Sequence, residues 1–391
     1  MNILYMTGGY FPFGNAYASR TLHISRALIK AGHTVHVLAD WCEMGEPYNP
    51  FDDERQIFGI NYSIVDPTQE KPRGTLIKSY ISQLARYVTD NKVDVVICAS
   101  EHDRFHKVYS VLKKNKIPFI LETCEWFGHR HWRYGILNPR FYPFLRCWYI
   151  DYLRAGGVIA ISRLLKERYE KKIKLTVRIP TILDPDECAW AEETQHDDAI
   201  HLIYAGSAGR RKDLLSNLII ALTALNKISV RFVLDVYGID EAAVVKQLGS
   251  QSSVLLTCKN YVFIHGRVKQ KTVNALYRQS DYSVIFRRNK RASNAGFPTK
   301  LAESMMAGTP VICNSTSDLP LYVKNGINGV VLSDITVRNI IEVLEQIRNL
   351  SCADVKKMRV NARETAAKYF DYSNYVQMLS DMVETVVKKG F

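Results

Sequence analysis

A chain of 391 residues, 47% hydrophobic and 23% charged, is long for one core and fits two soluble domains of ordinary size. No apolar run reaches the roughly 18–20 residues that span a bilayer, and the N-terminus enters Asn2-Ile-Leu-Tyr5 without a basic, leader-like region, so neither an embedded nor a secreted protein is expected. The formal net charge of +13 is concentrated in residues 104–178, which carry 17 Lys and Arg against 5 Asp and Glu. Such a basic region on a near-neutral remainder points to an anionic surface or ligand, phospholipid headgroups or nucleic acid.

The first half alternates strand and helix. Ile3 to Met6 reads as a buried strand, Thr7 to Ala16 as a Gly-containing loop, and residues 17–31 as a helix with Leu22, Ile24, Leu28 and Ile29 on its apolar side. Strands follow at Thr34–Leu38, Val93–Cys98, Phe119–Leu121 and Gly157–Ile161, with a helix over 75–91 and an irregular excursion over 41–71. Continuous Val/Ile runs separated by helices indicate a parallel sheet covered on both faces. The acidic stretch 184–198 reads as a linker, after which strands recur at Leu202, Phe232, Val262, Tyr282 and Pro310. The expected fold is therefore α/β: two doubly wound, Rossmann-like domains over 1–183 and 199–371, facing a cleft. A last helix over 372–391 follows Tyr369-Phe-Asp-Tyr372. The eight cysteines show no CxxC spacing and several fall in apolar strands, so reduced thiols and a cytoplasmic location are expected.

The stretch most suited to chemistry is Ser293-Asn-Ala-Gly-Phe-Pro-Thr-Lys-Leu-Ala-Glu303, followed by Ser-Met-Met-Ala-Gly-Thr-Pro310. Pro298 fits the first helical position, and Gly308 stops the helix. A helix opening in such a loop presents unpaired N–H groups and a positive dipole end, which suit a diphosphate. Lys300 and Glu303 lie on one face, a cation for phosphate and a carboxylate for hydroxyls. The same residues are those of an ordinary capped helix packed on a sheet.

This stretch resembles the donor-binding element of the family 4 glycosyltransferases, retaining enzymes of the GT-B fold. Their Glu-x7-Glu motif maps its second Glu to Glu303 and its first to Ala295, a departure at a position that the resemblance aims at the donor sugar. Their Gly-Arg…Lys-Gly/Asp pattern is similar to Gly206-Ser-Ala-Gly-Arg-Arg-Lys-Asp213. Lys212 matches, Ser207 stands where the family has Arg, and Arg210 or Arg211 replaces that charge.

The resemblance implies a set of roles. Lys212 and Arg211 would act on the leaving diphosphate, with His102, or Glu101 after it, near the sugar or acceptor hydroxyl. Donor contacts would come from Gly14, Asn15, Ser207, Arg267, Asn294, Ala295, Gly296, Phe297, Pro298, Thr299, Lys300 and Glu303. Glu125 and Trp126, in a segment loosely similar to one in polysaccharide-building members, would orient the acceptor. No Asp-x-Asp stands near the predicted cleft and His129 and His131 lack further ligands, so neither metal nor other cofactor is implied. The C-terminal helix would cross back to the first domain, as in GT-B proteins. The expected partners are a nucleotide-sugar donor, a glycan or lipid-linked acceptor and an anionic membrane surface, with no nucleic acid. The protein would work on the inner face of the cell membrane. A nucleotide-sugar epimerase and a non-catalytic sugar-nucleotide-binding protein are the alternatives.

Overall fold

The computed structural model describes residues 1–42, 55–99, 104–126, 134–139, 141–192, 194, 198–206 and 213–391. They form two compact units, Met1–Leu183 with Tyr372–Phe391, and Asp184–Asp371. The predicted residues Glu101, His102, Ser207, Arg210, Arg211 and Lys212 lie outside the described residues, as do His129 and His131.

The first unit is built on strands β1 (Asn2–Tyr10), β2 (Thr34–Trp41), β3 (Arg55–Ile57), β4 (Ile60–Ile64), β5 (Val95–Ala99), β6 (Phe119–Thr123), β7 (Gly157–Ala160) and β8 (Thr176–Arg178). Their spatial order is β3-β4-β2-β1-β5-β6-β7-β8. All neighbours pair in parallel except β3 and β4. Parallel strands covered on both faces favour apolar residues along their length, and β5 and β6 are buried throughout, β6 ending in Glu122 and Thr123.

The β3–β4 hairpin corrects the irregular reading of 41–71. Its two-residue turn, Phe58-Gly59, has φ of 49° and 78°, the left-handed pair that a tight hairpin requires. A phenylalanine in that conformation is not a turn signal. Its strain is offset where Arg26 stacks its guanidinium 4.2 Å from the Phe58 ring.

The last segment returns to this unit. Tyr372 N donates to Leu183 O at 3.0 Å, so the chain leaves and re-enters at adjacent points. The helix Val376–Lys389 then buries Leu379, Met382, Val383 and Val386 in the same core as β1 and β5. Val386 packs so closely that a Cβ on Gly156 would lie 2.8 Å from its Cγ1.

The second unit holds β9 (Ile200–Ala205), β10 (Phe232–Tyr237), β11 (Val262–Gly266), β12 (Tyr282–Ile285), β13 (Val311–Asn314) and β14 (Gly329–Leu332), in the order β11-β10-β9-β12-β13-β14. Every pairing is parallel. The short edge strands β8 and β14 are not among the strands that the sequence predicts; β14 begins at Gly329, where a Cβ would meet Val311 O at 2.5 Å.

The stretch expected to link the domains is fastened to the second unit, which starts at Asp184 rather than at 199. Two arginines of the helix Cys352–Phe370 hold its backbone: Arg359 Nε donates to Ala191 O at 3.1 Å and Arg363 Nη1 to Cys188 O at 3.4 Å. Thr194 Oγ1 donates to Asp281. Acidic composition and few apolar residues resemble a free linker, but carbonyls captured by guanidinium groups need no apolar side chains.

On β2, the His36 ring lies 4.4 Å from the Tyr87 ring and tilted to it, and its Nε2 meets Ser63 Oγ at 2.9 Å. Burial pushes its pKa from an ordinary 6.5 down to about 4. The unfolded chain takes up this proton below 6.5, so the stability present above that pH is lost as pH falls towards 4. Thermal unfolding at pH 7 and pH 4.5 should show wild type losing on the order of 3 kcal/mol more than His36→Gln. An equal loss in both proteins would remove the imidazole from the account.

Candidate active site

The predicted donor contacts of the second unit follow strand ends: Arg267 comes directly after β11, and residues 294–303 lie between β12 and β13. The helix Thr299–Met306 begins after Pro298, one position later than the sequence pattern suggests. Gly308, at φ 77°, ends it, with its N–H on Met305 O at 3.0 Å. The loop before it is knitted to the segment after β13. Asn294 Oδ1 accepts from Ser317 N at 2.9 Å, and Ser317 Oγ donates to Gly296 O at 2.6 Å. Asn294 Nδ2 donates to Asn289 Oδ1 at 2.8 Å. Phe297 is buried, 5.6 Å from the Tyr322 ring and 5.9 Å from that of Phe370. Ala295, Gly296 and Pro298 are buried as well, whereas Asn294, Thr299 and Glu303 are half-buried and Arg267 is exposed.

Lys300 is buried, with its ammonium turned inward. Its Nζ lies 2.6 Å from Asp213 Oδ2 and 3.9 Å from the centroid of the Tyr204 ring. The same carboxylate accepts from Tyr204 Oη at 2.9 Å, and Arg287 Nε stands 3.5 Å from its other oxygen. Burial alone would raise the Asp213 carboxyl, but Lys300 and Arg287 outweigh it and hold it below the ordinary range. Burial, then the neighbouring Asp213 charge, pushes the Tyr204 phenol well above its usual value.

Three pieces of chain thus meet at the Asp213 carboxylate: Tyr204 near the end of β9, Arg287 two residues past β12, and Lys300 in the helix Thr299–Met306. Hydrogen bonds to the backbone fix the same junction. Leu214 N donates to Phe286 O at 2.9 Å, and Asn314 accepts from Arg287 N and donates to Arg287 O at 2.8 Å each.

Glycines let these pieces approach. A Cβ on Gly206 would sit 2.8 Å from Lys300 Nζ, and one on Gly238 would sit 2.8 Å from the Gly206 backbone. Gly238 N donates to Gly266 O at 2.7 Å, beside His265, whose ring stacks 4.3 Å from Tyr237 and whose Nε2 is 2.6 Å from Asp235 Oδ1. Glu303 lies close enough to Cys188 and Tyr277 for its charge to help raise both, after burial.

The other sequence-predicted residues belong to the first unit. Asn15 caps the helix Ala16–Lys30, its Oδ1 accepting from Ala18 N at 2.9 Å. Gly14 has φ 116°, and a Cβ there would meet the Tyr10 ring at 3.3 Å. Glu125 is half-buried beside Tyr17, whose phenol is raised by burial and then by the Glu125 charge. The Trp126 ring lies 4.6 Å from the Arg168 guanidinium, which also faces Trp148, Tyr149 and Tyr169.

Sequence reasoning missed the buried ion pairs. Arg20 Nε meets Glu122 Oε1 at 2.6 Å, and its Nη1 donates to Pro180 O at 2.6 Å. Cys124 Sγ donates to that same glutamate oxygen at 2.6 Å. Arg104 Nη1 meets Asp40 Oδ1 at 2.6 Å, with the Tyr80 ring 3.5 Å from its guanidinium. The available signal was a charged residue at or next to an otherwise apolar strand end, as at Asp40, Glu122 and Arg287.

Comparison with known proteins follows this division of the chain. The family model described as "Glycosyltransferase Family 4" matches residues 18–187, and that described as "Glycosyl transferases group 1" matches residues 189–369. No curated protein matches by sequence. Among solved structures, a sucrose-phosphate synthase from Thermosynechococcus elongatus is similar at TM-score 0.75 and 15% identity, covering 99% of each chain. Anabaena Alr3699/HepE, solved in complex with UDP and glucose, is similar at TM-score 0.68 and 15% identity, covering 98% of this chain and 100% of its own. WaaG, a glycosyltransferase involved in lipopolysaccharide biosynthesis, gives TM-score 0.65 and 15% identity over 97% and 99%. The two family models account in order for both halves of the chain, which belongs to the family 4 glycosyltransferases and has their GT-B fold.

Proposed function

We propose that this protein is a retaining glycosyltransferase that moves a hexosyl group from a nucleotide sugar to a hydroxyl of a glycan or lipid-linked acceptor. The observation that carries this reading is a cation, Lys300, in the first turn of a helix and close against Gly206 at the end of β9, in a chain that two glycosyltransferase models cover. Helix N–H groups and a fixed cation suit a diphosphate. Alr3699/HepE, which shares the fold, has been solved with UDP-glucose. Glu303 would take the ribose hydroxyls, and Lys212 with Arg211 would stabilise the leaving diphosphate. In a front-face displacement the bond from the anomeric carbon to phosphate oxygen breaks. The acceptor oxygen then bonds to that carbon on the same face, and its proton passes to the departing phosphate. Glu101 or His102 would lie near this hydroxyl, and Glu125 with Trp126 would orient the acceptor. No metal enters this scheme.

The finer reading places the work at an anionic membrane, in surface polysaccharide synthesis. Support comes from how residues 134–150 divide. Phe141, Phe144 and Trp148 are buried, so these aromatics fill the core rather than meet headgroups. Tyr134, Ile136, Leu137, Tyr142, Tyr149 and Ile150 are exposed. Tyr149 leans on Arg168 of the helix Arg163–Glu170, after which Lys171, Lys172 and Lys174 are exposed. Apolar side chains beside cations suit an anionic bilayer, where each Lys or Arg contributes about 1 kcal/mol. Among the described residues no helix is long and apolar enough to cross a membrane.

Thermal-shift screening against nucleotide sugars tests the donor, since a ligand at 100 times its Kd stabilises by about 2.7 kcal/mol. Glu303→Ala should raise the donor KM, and Lys212→Ala should lower kcat by about 10²–10³-fold; near wild-type kcat/KM in either, with circular dichroism unchanged, would remove that residue from the site. Ala295 is fully buried, so Ala295→Glu should cost about 3–5 kcal/mol by burying an unpaired carboxylate, and activity should fall with it. Unchanged Tm and kinetics would mean that residue 295 has room for the family's glutamate. Co-sedimentation should require anionic liposomes and weaken from 50 to 500 mM salt. Changing Leu137 and Tyr149 to Ser, or Lys171, Lys172 and Lys174 to Glu, should release the protein while sparing donor binding. Equal sedimentation with neutral liposomes, or none with either, would leave a soluble acceptor.

A further inference from the structure

The family pattern assigns phosphate to the loop that leaves β9 at Gly206, yet the cation at the foot of that loop is supplied from elsewhere. Lys300 Nζ is so close to Gly206 that a Cβ there would stand 2.8 Å from it. The loop therefore starts directly against an ammonium group. One of its N–H groups goes to Asp213 Oδ2 at 2.6 Å, and the Tyr204 ring packs against the ammonium at 3.9 Å.

A flexible four-carbon stem would not hold an ammonium at one point unaided. Asp213 supplies the anchor. Its carboxylate is fixed by Tyr204 Oη and faces Arg287 as well, so its charge is divided between two cations rather than spent on Lys300. We propose that Asp213 is a positioning residue for the donor's diphosphate. It holds the Lys300 ammonium in place at Gly206, where it acts on the phosphate nearer the sugar.

This inference rests on the nucleotide-sugar reading and goes beyond it by giving Asp213 a part in recognition. A merely structural ion pair would hold the loop and nothing more. The two roles differ in what they discriminate: a charge aimed at the outer phosphate separates nucleoside diphosphates from monophosphates, whereas a staple does not.

The test is isothermal titration of the full chain with UDP, GDP and ADP, and with the monophosphate of whichever binds. In Lys300→Met and Asp213→Asn the diphosphate Kd should rise at least tenfold while the monophosphate Kd stays within threefold. The double variant should be no more than threefold worse than the weaker single one, because both changes remove one unit. Tyr204→Phe keeps the ring and deletes one donor to the carboxylate; it should raise the diphosphate Kd three- to fivefold, and it serves if the charge variants fail to fold. Unchanged diphosphate affinity in the folded variants, or equal losses for diphosphate and monophosphate, would overturn the positioning role and leave glycosyl transfer standing. Failure of all three diphosphates to bind wild type would overturn the donor reading itself, and the inference with it.

Discussion

The second unit is organised around a single ionised carboxylate away from water. Asp213 receives a phenol, an ammonium and a guanidinium from three separate elements, all of them buried. Removing the carboxylate from such a cluster would leave the Lys300 charge uncompensated at low dielectric, at a cost of about 3–5 kcal/mol. The penalty makes the arrangement specific: the end of β9, the chain past β12 and the helix Thr299–Met306 keep one mutual position or lose the whole set. The glycines at 206 and 238 belong to the same constraint, because any side chain there would push these pieces apart.

The first unit uses the same device twice. Arg20 with Glu122, and Arg104 with Asp40, are buried pairs at the ends of β6 and β2. In a doubly wound fold the C-terminal ends of the strands are where loops carry function. Parallel sheets fill their middles with Val and Ile, so polar groups are tolerated only at those ends and only when paired. Buried charge at strand ends is thus both the stabilising detail and the mark of the side on which chemistry is placed.

The aromatic-rich segment after β6 shows how composition misleads when burial is unknown. Interleaved Arg and aromatic residues read as one interfacial stripe, yet the stripe separates into two sets. Phe144 and Trp148 stack at 5.6 Å inside, and Arg168 is held among four aromatic rings. The outward set is aliphatic and phenolic. The local field is positive: burial first, then Lys107 and Arg146, lowers the pKa of His106.

The sequence alone determined the architecture. Val/Ile runs separated by helices specify parallel strands, and Gly308 ends a helix through its own backbone chemistry. Because these are local properties, they also placed the helix bearing Lys300 and Glu303. Tertiary structure alone decided what that lysine does. Its partner is 87 residues away, and the partner of Arg20 is 102 away. A local pattern records that a residue is charged, not which opposite charge packing will bring beside it. The same limit hid the edge strands β8 and β14, which become strands only because a neighbour supplies their hydrogen bonds. It also hid the fastening of residues 184–194, which depends on arginines from a helix that begins at Cys352.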